Sequence, residues 1–311
     1  VRYCVLLFLF GALAAAQSAS TVLTTDINGR TVADGSVITK DGVTSQTTKS
    51  INNGQVPVEQ TTERVLSETP SSKVTEKIIK RFSQTGALIS TERVVTEHQT
   101  RPSGETLKST TYTSDINGRM TESERKVVES TTHGNVTDTQ TEIARPTPNG
   151  FGTVEKRSAV TEKSKDTSHS DEIVYRISEN GGFFPAVRTV TDTAQSGAKT
   201  VEKSALYEPI AEVNRMELSR QVVTTTATRP DGTTVSVLDY YGPSVPGNVR
   251  DPSAPQKLYE QDTVERKPRP DGSVVETLSA RRVNSTNPNI LLPPIKVSET
   301  VCTGKCNEKP Q

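Results

Sequence analysis

Apolar residues in this chain tend to come in adjacent pairs rather than in alternation: Val94-Val95, Val127-Val128, Val222-Val223 and Val274-Val275. Neighbouring residues of an extended strand point to opposite faces. Each pair therefore puts one valine on each side of a sheet, surrounded by Thr, Glu, Lys and Arg. Long apolar stripes of helical period are missing. Two of the pairs belong to a phrase that returns along the chain, as Glu63-Arg64-Val65-Leu66, Glu92-Arg93-Val94-Val95, Glu124-Arg125-Lys126-Val127-Val128, Glu155-Lys156-Arg157 and Glu202-Lys203. Between its copies stand turn signals such as Asn117-Gly118, Asp231-Gly232 and Asp271-Gly272, dipeptides that favour type I′ hairpin turns. Turns recur about every 16 residues and the glutamates about every 31, so the unit is strand, turn, strand, turn. Strands of about 12 residues would be ~40 Å long at ~3.3 Å per residue. That exceeds the usual length and predicts bulges.

The fold predicted is mainly β: a repetitive antiparallel meander, laid out as an extended single-layer sheet of long hairpins wetted on both faces. Asp26-Ile27-Asn28-Gly29-Arg30 returns as Asp115-Ile116-Asn117-Gly118-Arg119, which keeps tandem β-sandwich domains open as an alternative. A β-solenoid and partial disorder are the others. Along the chain, residues 1–16 read as a signal peptide, 17–242 as the β-repeat region and 243–262 as a Pro-rich linker. A final hairpin over 263–284 and an irregular tail over 285–311 follow. The leader assignment rests on Arg2, the apolar run Val5 to Ala16 and the small residues Ala14-Ala15-Ala16. That run is shorter than the ~20 residues a membrane-spanning helix needs, and no second one follows it.

Composition narrows the function classes. Apolar residues are 31% of the chain, aromatic residues 4%, and Trp is absent. So few large side chains cannot fill the core of a compact enzyme of this length. The 37 basic and 37 acidic residues cancel, leaving no basic surplus for nucleic acid.

Candidate chemistry is sparse. His98, His133 and His169 sit in polar surroundings without the convergent groups that a triad or a zinc site needs, so no catalytic, metal or cofactor residues are assigned. Asp231 and Asp271 each offer one carboxylate where a calcium loop wants several. Cys302 and Cys306 form a C-x3-C pair that suits a local disulfide in a secreted chain. Phe183, Phe184, Tyr240 and Tyr241, with Tyr259, are exposed aromatics able to stack on a ligand.

Together these features predict a secreted, extracellular or periplasmic, non-catalytic β-repeat protein acting as an extended spacer or scaffold. The alternative is an adhesin-like module binding carbohydrate or protein, with hydrolase activity least favoured. Its expected partners are cell-surface or matrix components or polysaccharide. Nucleic acid is not expected, nor any integral membrane segment after leader cleavage.

Overall fold

The computed structural model describes residues 18–26, 28, 31–40, 42–49, 57–115, 117–210, 215–242, 255–284 and 286–304. The proposed leader, Cys306 and most of the Pro-rich stretch lie outside them. The strands are β1 (Ser18–Asp26), β2 (Thr31–Lys40), β3 (Val43–Lys49), β4 (Pro57–Thr69), β5 (Ser72–Phe82) and β6 (Leu88–Arg101). Next come β7 (Gly104–Ser114), β8 (Met120–His133), β9 (Val136–Thr147), β10 (Gly150–Lys163), β11 (Thr167–Ile177) and β12 (Phe183–Ser196). The last are β13 (Lys199–Pro209), β14 (Met216–Thr228), β15 (Thr234–Gly242), β16 (Lys257–Pro268), β17 (Val274–Asn284), β18 (Asn287–Leu291) and β19 (Ile295–Gly304).

Every strand from β1 to β17 pairs antiparallel with the next in sequence. The meander predicted from the turn spacing is therefore present, with β6, β8, β10 and β12 each 14 residues long. It does not remain open. Strand β19 pairs with β17 on one side and with β1 on the other, setting Thr21 opposite Thr303 and Val275 opposite Val301. The result is a closed 18-strand barrel, with β18 a short flap paired to β17. An extended sheet or a pair of sandwich layers is thus corrected to a ring. Physically, a long meander leaves two edges of unpaired N–H and C=O groups, and pairing the first strand with the last removes both.

A ring of this circumference has a bore instead of a core. Ile143, Ala205, Val274 and Val275 are the buried hydrophobic residues among those described. The wall is held by its backbone ladder and by cross-strand pairs of roughly 0.2–1 kcal/mol each.

Five turns share one geometry, over 83–87, 115–119, 178–182, 229–233 and 269–273. In each, the first amide donates to the fifth carbonyl and the fourth amide to the first carbonyl. The fourth residue is a glycine with φ between 77° and 84°. These loops are one residue longer than the type I′ turns expected from Asn-Gly and Asp-Gly, and the glycine supplies the left-handed residue that closes them. In three of the five an aspartate buttresses the loop, Asp115 by accepting the amides of Asn117 at 2.9 Å and Arg119 at 2.8 Å. Asp231 Oδ1 accepts the Thr233 amide at 3.0 Å, and Asp271 Oδ1 accepts the Ser273 hydroxyl at 2.6 Å and its amide at 2.9 Å. These hydrogen bonds hold both carboxyls below their ordinary 3.8. A depressed carboxyl pKa adds stability above the unfolded value and loses it as pH falls through the folded value. The expected outcome is that Asp271→Asn lowers the thermal midpoint at pH 7, and that the gap between variant and wild type narrows towards pH 3. A gap independent of pH would refute this role for the carboxylate.

Candidate functional site

Strand direction alternates, so the barrel has two rims. Short hairpins such as 101–104, 133–136 and 196–199 form the tight-turn rim, and longer connections such as 82–88, 114–120 and 209–216 form the other. All ten aromatic residues among those described lie at the second rim. Phe82, Tyr112, Tyr175 and Tyr207 come near the ends of β5, β7, β11 and β13, and Phe151 and Phe183-Phe184 at the starts of β10 and β12. Tyr240 and Tyr241 end β15, and Tyr259 begins β16.

Backbone geometry places several of these rings. The pairing register shifts between Arg81 and Phe82, Thr111 and Tyr112, Val174 and Tyr175, Leu206 and Tyr207, and Tyr240 and Tyr241. A bulge bends its strand; each time the extra residue (Ile89, Ser123, Ala186, Ser219 or Tyr259) is on the even-numbered strand, and a ring of the odd-numbered strand lies across from it. Bases cover four rings: Arg125 over Phe151 at 4.3 Å, Lys156 over Phe183 at 5.2 Å, Arg93 over Tyr112 at 5.6 Å and Arg188 over Tyr207 at 5.7 Å. Tyr240 and Tyr259 lie 6.3 Å apart. The rim also gathers exposed aliphatic residues, with Ile89 67% and Ile295 61% accessible. The four candidate contact aromatics named from sequence therefore share one rim. What sequence reading missed is the rest of that belt.

The wall has two chemically distinct faces, and the register assigns residues to each. One is hydroxyl-rich. Across it run pairs such as Thr39–Thr44, Thr96–Ser109, Ser130–Thr139, Thr161–Ser170 and Thr226–Ser236, at 2.9–3.1 Å. Nearer the aromatic rim the same face carries ion pairs, Arg81 with Glu59 and Glu92, Arg145 with Glu124, and Arg282 with Glu260. The opposite face carries Arg64–Glu76–Arg93, Lys156–Glu142 and Arg188–Asp171. In every copy of the repeated phrase the glutamate (63, 92, 124, 155 or 202) falls on the hydroxyl face. The base after it (Arg64, Arg93, Arg125, Lys156 or Lys203) falls on the other. The phrase is a device that gives the two faces different charge.

Neither face carries an unbroken apolar band of the kind that lipid-exposed barrel walls show. Lys77, Lys126 and Glu202 interrupt one, and Glu76, Lys108 and Asp171 the other. Among the described residues, no three His, Cys, Asp or Glu converge on a metal position. His98 and His169 pair with Glu105 at 2.8 Å and Asp192 at 2.7 Å, and His133 ends β8. Cys302 lies in β19.

No protein-family model and no curated protein matches the chain. Solved structures do. OccK3 (OpdO) of Pseudomonas aeruginosa superposes with TM-score 0.55 at 8% identity, covering 92% of this chain and 94% of its own. OccK2 (OpdF) of the same organism gives 0.53 at 8%, over 93% and 97%, and OccK1 (OpdK) gives 0.51 at 11%, over 92% and 96%. These neighbours are outer-membrane porins. Two expectations are corrected by the ring and by these likenesses: the secreted spacer, scaffold or adhesin with matrix or polysaccharide partners, and the absence of an integral membrane element. The spacer depended on an open sheet. The membrane expectation came from hydropathy windows of helical length, which cannot register a barrel that crosses with strands. At these identities the likeness is one of fold, and the fold is an 18-strand porin-like β-barrel.

Proposed function

We propose that the chain forms a water-filled, non-catalytic channel for small polar solutes in a bacterial outer membrane. Ring closure between β1 and β19 carries this reading, because 16- to 18-strand barrels enclose an aqueous bore while barrels of about eight strands fill with side chains. The porin neighbours support it, and so does the orientation of the wall. For an L-residue on an upward-running strand with its side chain toward the viewer, the N–H points right. Asp115, on the hydroxyl face at the end of β7, donates forward to Arg119, and Thr132, on that face at the end of β8, donates back to Ser103. Seen from that face with odd strands upward, the chain thus advances to the right. The register path Ser36, Thr47, Gln60, Lys80, Thr91 climbs toward the aromatic rim in the same direction. Strands crossing such a path lean left. In a barrel of right-handed twist they lean right when seen from outside, which favours the hydroxyl face as the inner one.

A bore lined by hydroxyls and, near one rim, by neutralised ion pairs suits uncharged or zwitterionic polar solutes. The test is conductance across planar bilayers. Stepwise openings are expected, and a sulfonated thiol reagent should lower the current through Thr226→Cys while sparing Thr225→Cys, its neighbour on the other face. Folded protein that never conducts would end the channel reading. The reverse labelling pattern would invert the wall.

A further inference from the structure

We infer that a collar of backbone bulges near the aromatic rim decides which solutes the bore passes, and that it favours small neutral molecules carrying an apolar patch beside their hydroxyls. This rests on the channel reading and on the hydroxyl face as the inner one. Every seam whose hairpin closes at the aromatic rim has a register shift, and the extra residue is always on the strand running away from that rim. At each shift two side chains share the hydroxyl face opposite one on the partner strand. The shift at Leu66 in β4 stands apart, toward the tight-turn rim.

None of the extra residues is charged. Val58, Ile89, Tyr259 and Val297 are exposed, so they stand free of the wall instead of packing into it, and Val154 is half-buried. Two contacts fix the side on which they stand. Ser123 Oγ meets Thr113 Oγ1 at 2.9 Å, and the Tyr259 ring lies 6.3 Å from that of Tyr240, both partners belonging to the hydroxyl face. Gly242 makes the seat for that ring, since a Cβ there would stand 3.2 Å from Tyr259 Cε1. Between the bulges the charges are already paired, as in Glu59–Arg81–Glu92, Glu124–Arg145 and Glu260–Arg282. An ion gains little from neutralised pairs and gives up water against apolar side chains. A solute with hydroxyls on one side and a methyl-sized patch on the other uses both kinds of group.

The test is swelling of liposomes that hold the full chain, with galactose and 6-deoxygalactose as the probes. The two sugars are close in size, and the second has a methyl where the first has a hydroxymethyl group. Wild type is expected to admit the deoxy sugar about two- to fourfold faster, the effect of one methyl-sized group taken partly out of water. The triple variant Val58→Asn/Ile89→Asn/Val154→Asn should bring the two rates together while galactose still enters. Ile89→Asn alone, at an exposed position that the fold does not need, should remove part of the preference. Val94→Asn, half-buried on the same face below the collar, should keep it. Equal entry of both sugars through wild type would overturn the inference and leave a channel standing. A preference that survives in the triple variant, or that Val94→Asn abolishes as well, would take it away from the collar. Entry of neither sugar would end the channel reading, and the collar's role with it.

Discussion

Truncation after residue 294, which removes β19, is expected to convert a closed barrel into an aggregating sheet. Strand β19 bridges β17 and β1 through registers running from Val274 opposite Cys302 to Asp26 opposite Ser298. Without it, β1 and β17 each expose a row of unpaired amides and carbonyls on a long strand, the template on which other chains pair. The strands that remain keep their hairpin partners, so far-UV circular dichroism should still report β structure while light scattering shows particles larger than those of the full chain. A truncated chain that stays monomeric with an unchanged hydrodynamic radius would mean that the β1–β19 seam contributes nothing. Trimming the β18 flap at 287–291 is the matched control, because it removes residues while leaving both edges paired.

The second large effect is expected at Glu76. Its side chain is 4% exposed on a wall where most charges are half-exposed. Arg64 reaches it at 2.6 Å from β4 and Arg93 at 2.7 Å from β6, so one carboxylate joins three strands. Replacing it with Gln leaves two guanidinium groups facing a neutral amide. Because both arginines keep access to water, the loss should be roughly 2–3 kcal/mol, in the range of hydrogen bonds to charged groups and below that for a fully buried broken pair. Glu59→Gln makes the contrast: Glu59 and Arg81 are 43% and 48% exposed, and exposed pairs contribute about 0–1 kcal/mol. Denaturant midpoints measured side by side decide the matter, and equal losses would refute a special role for Glu76. In a double-mutant cycle, Arg64→Ala should cost less once Glu76 is gone.

Much of the wall was legible in the sequence. Asn117-Gly118, Asp231-Gly232 and Asp271-Gly272 fall in turns as expected, because the backbone demand for a left-handed residue is local. Val94-Val95, Val127-Val128 and Val222-Val223 mark strand interiors for a similar reason, since alternation of side-chain direction is a property of each residue pair, while Val274-Val275 opens β17. Closure was not legible. The contact of Thr21 with Thr303 joins the two ends of the meander, and no side chain at either end differs from those of inner strands in a way that announces a partner.

The aromatic belt lies between these cases. Phe183, Phe184, Tyr240 and Tyr241 stood out as exceptions on a polar sheet, but seemed isolated while the chain was read linearly. Their shared height appears once strand direction is allowed to alternate, so that the end of β11 and the start of β12 become one place. A signal for it was present: Phe82, Tyr112, Tyr175, Tyr207 and Tyr240 fall at multiples of about 31 residues, the period of the glutamate repeat. The functional expectation failed for a different reason. A spacer and a conduit can be built from the same hairpins, and they differ only in whether the first strand meets the last.

That meeting also frees the barrel from its own chain order. Ser20 and Gly304 are partners across the β1–β19 seam, so a short linker could join them without stretching either strand. The chain could then be reopened at the tight turn around Gly134, between β8 and β9, with every strand keeping both of its neighbours. In a ring of this kind, beginning and end belong to the gene, and the sheet could be read from any of its hairpins.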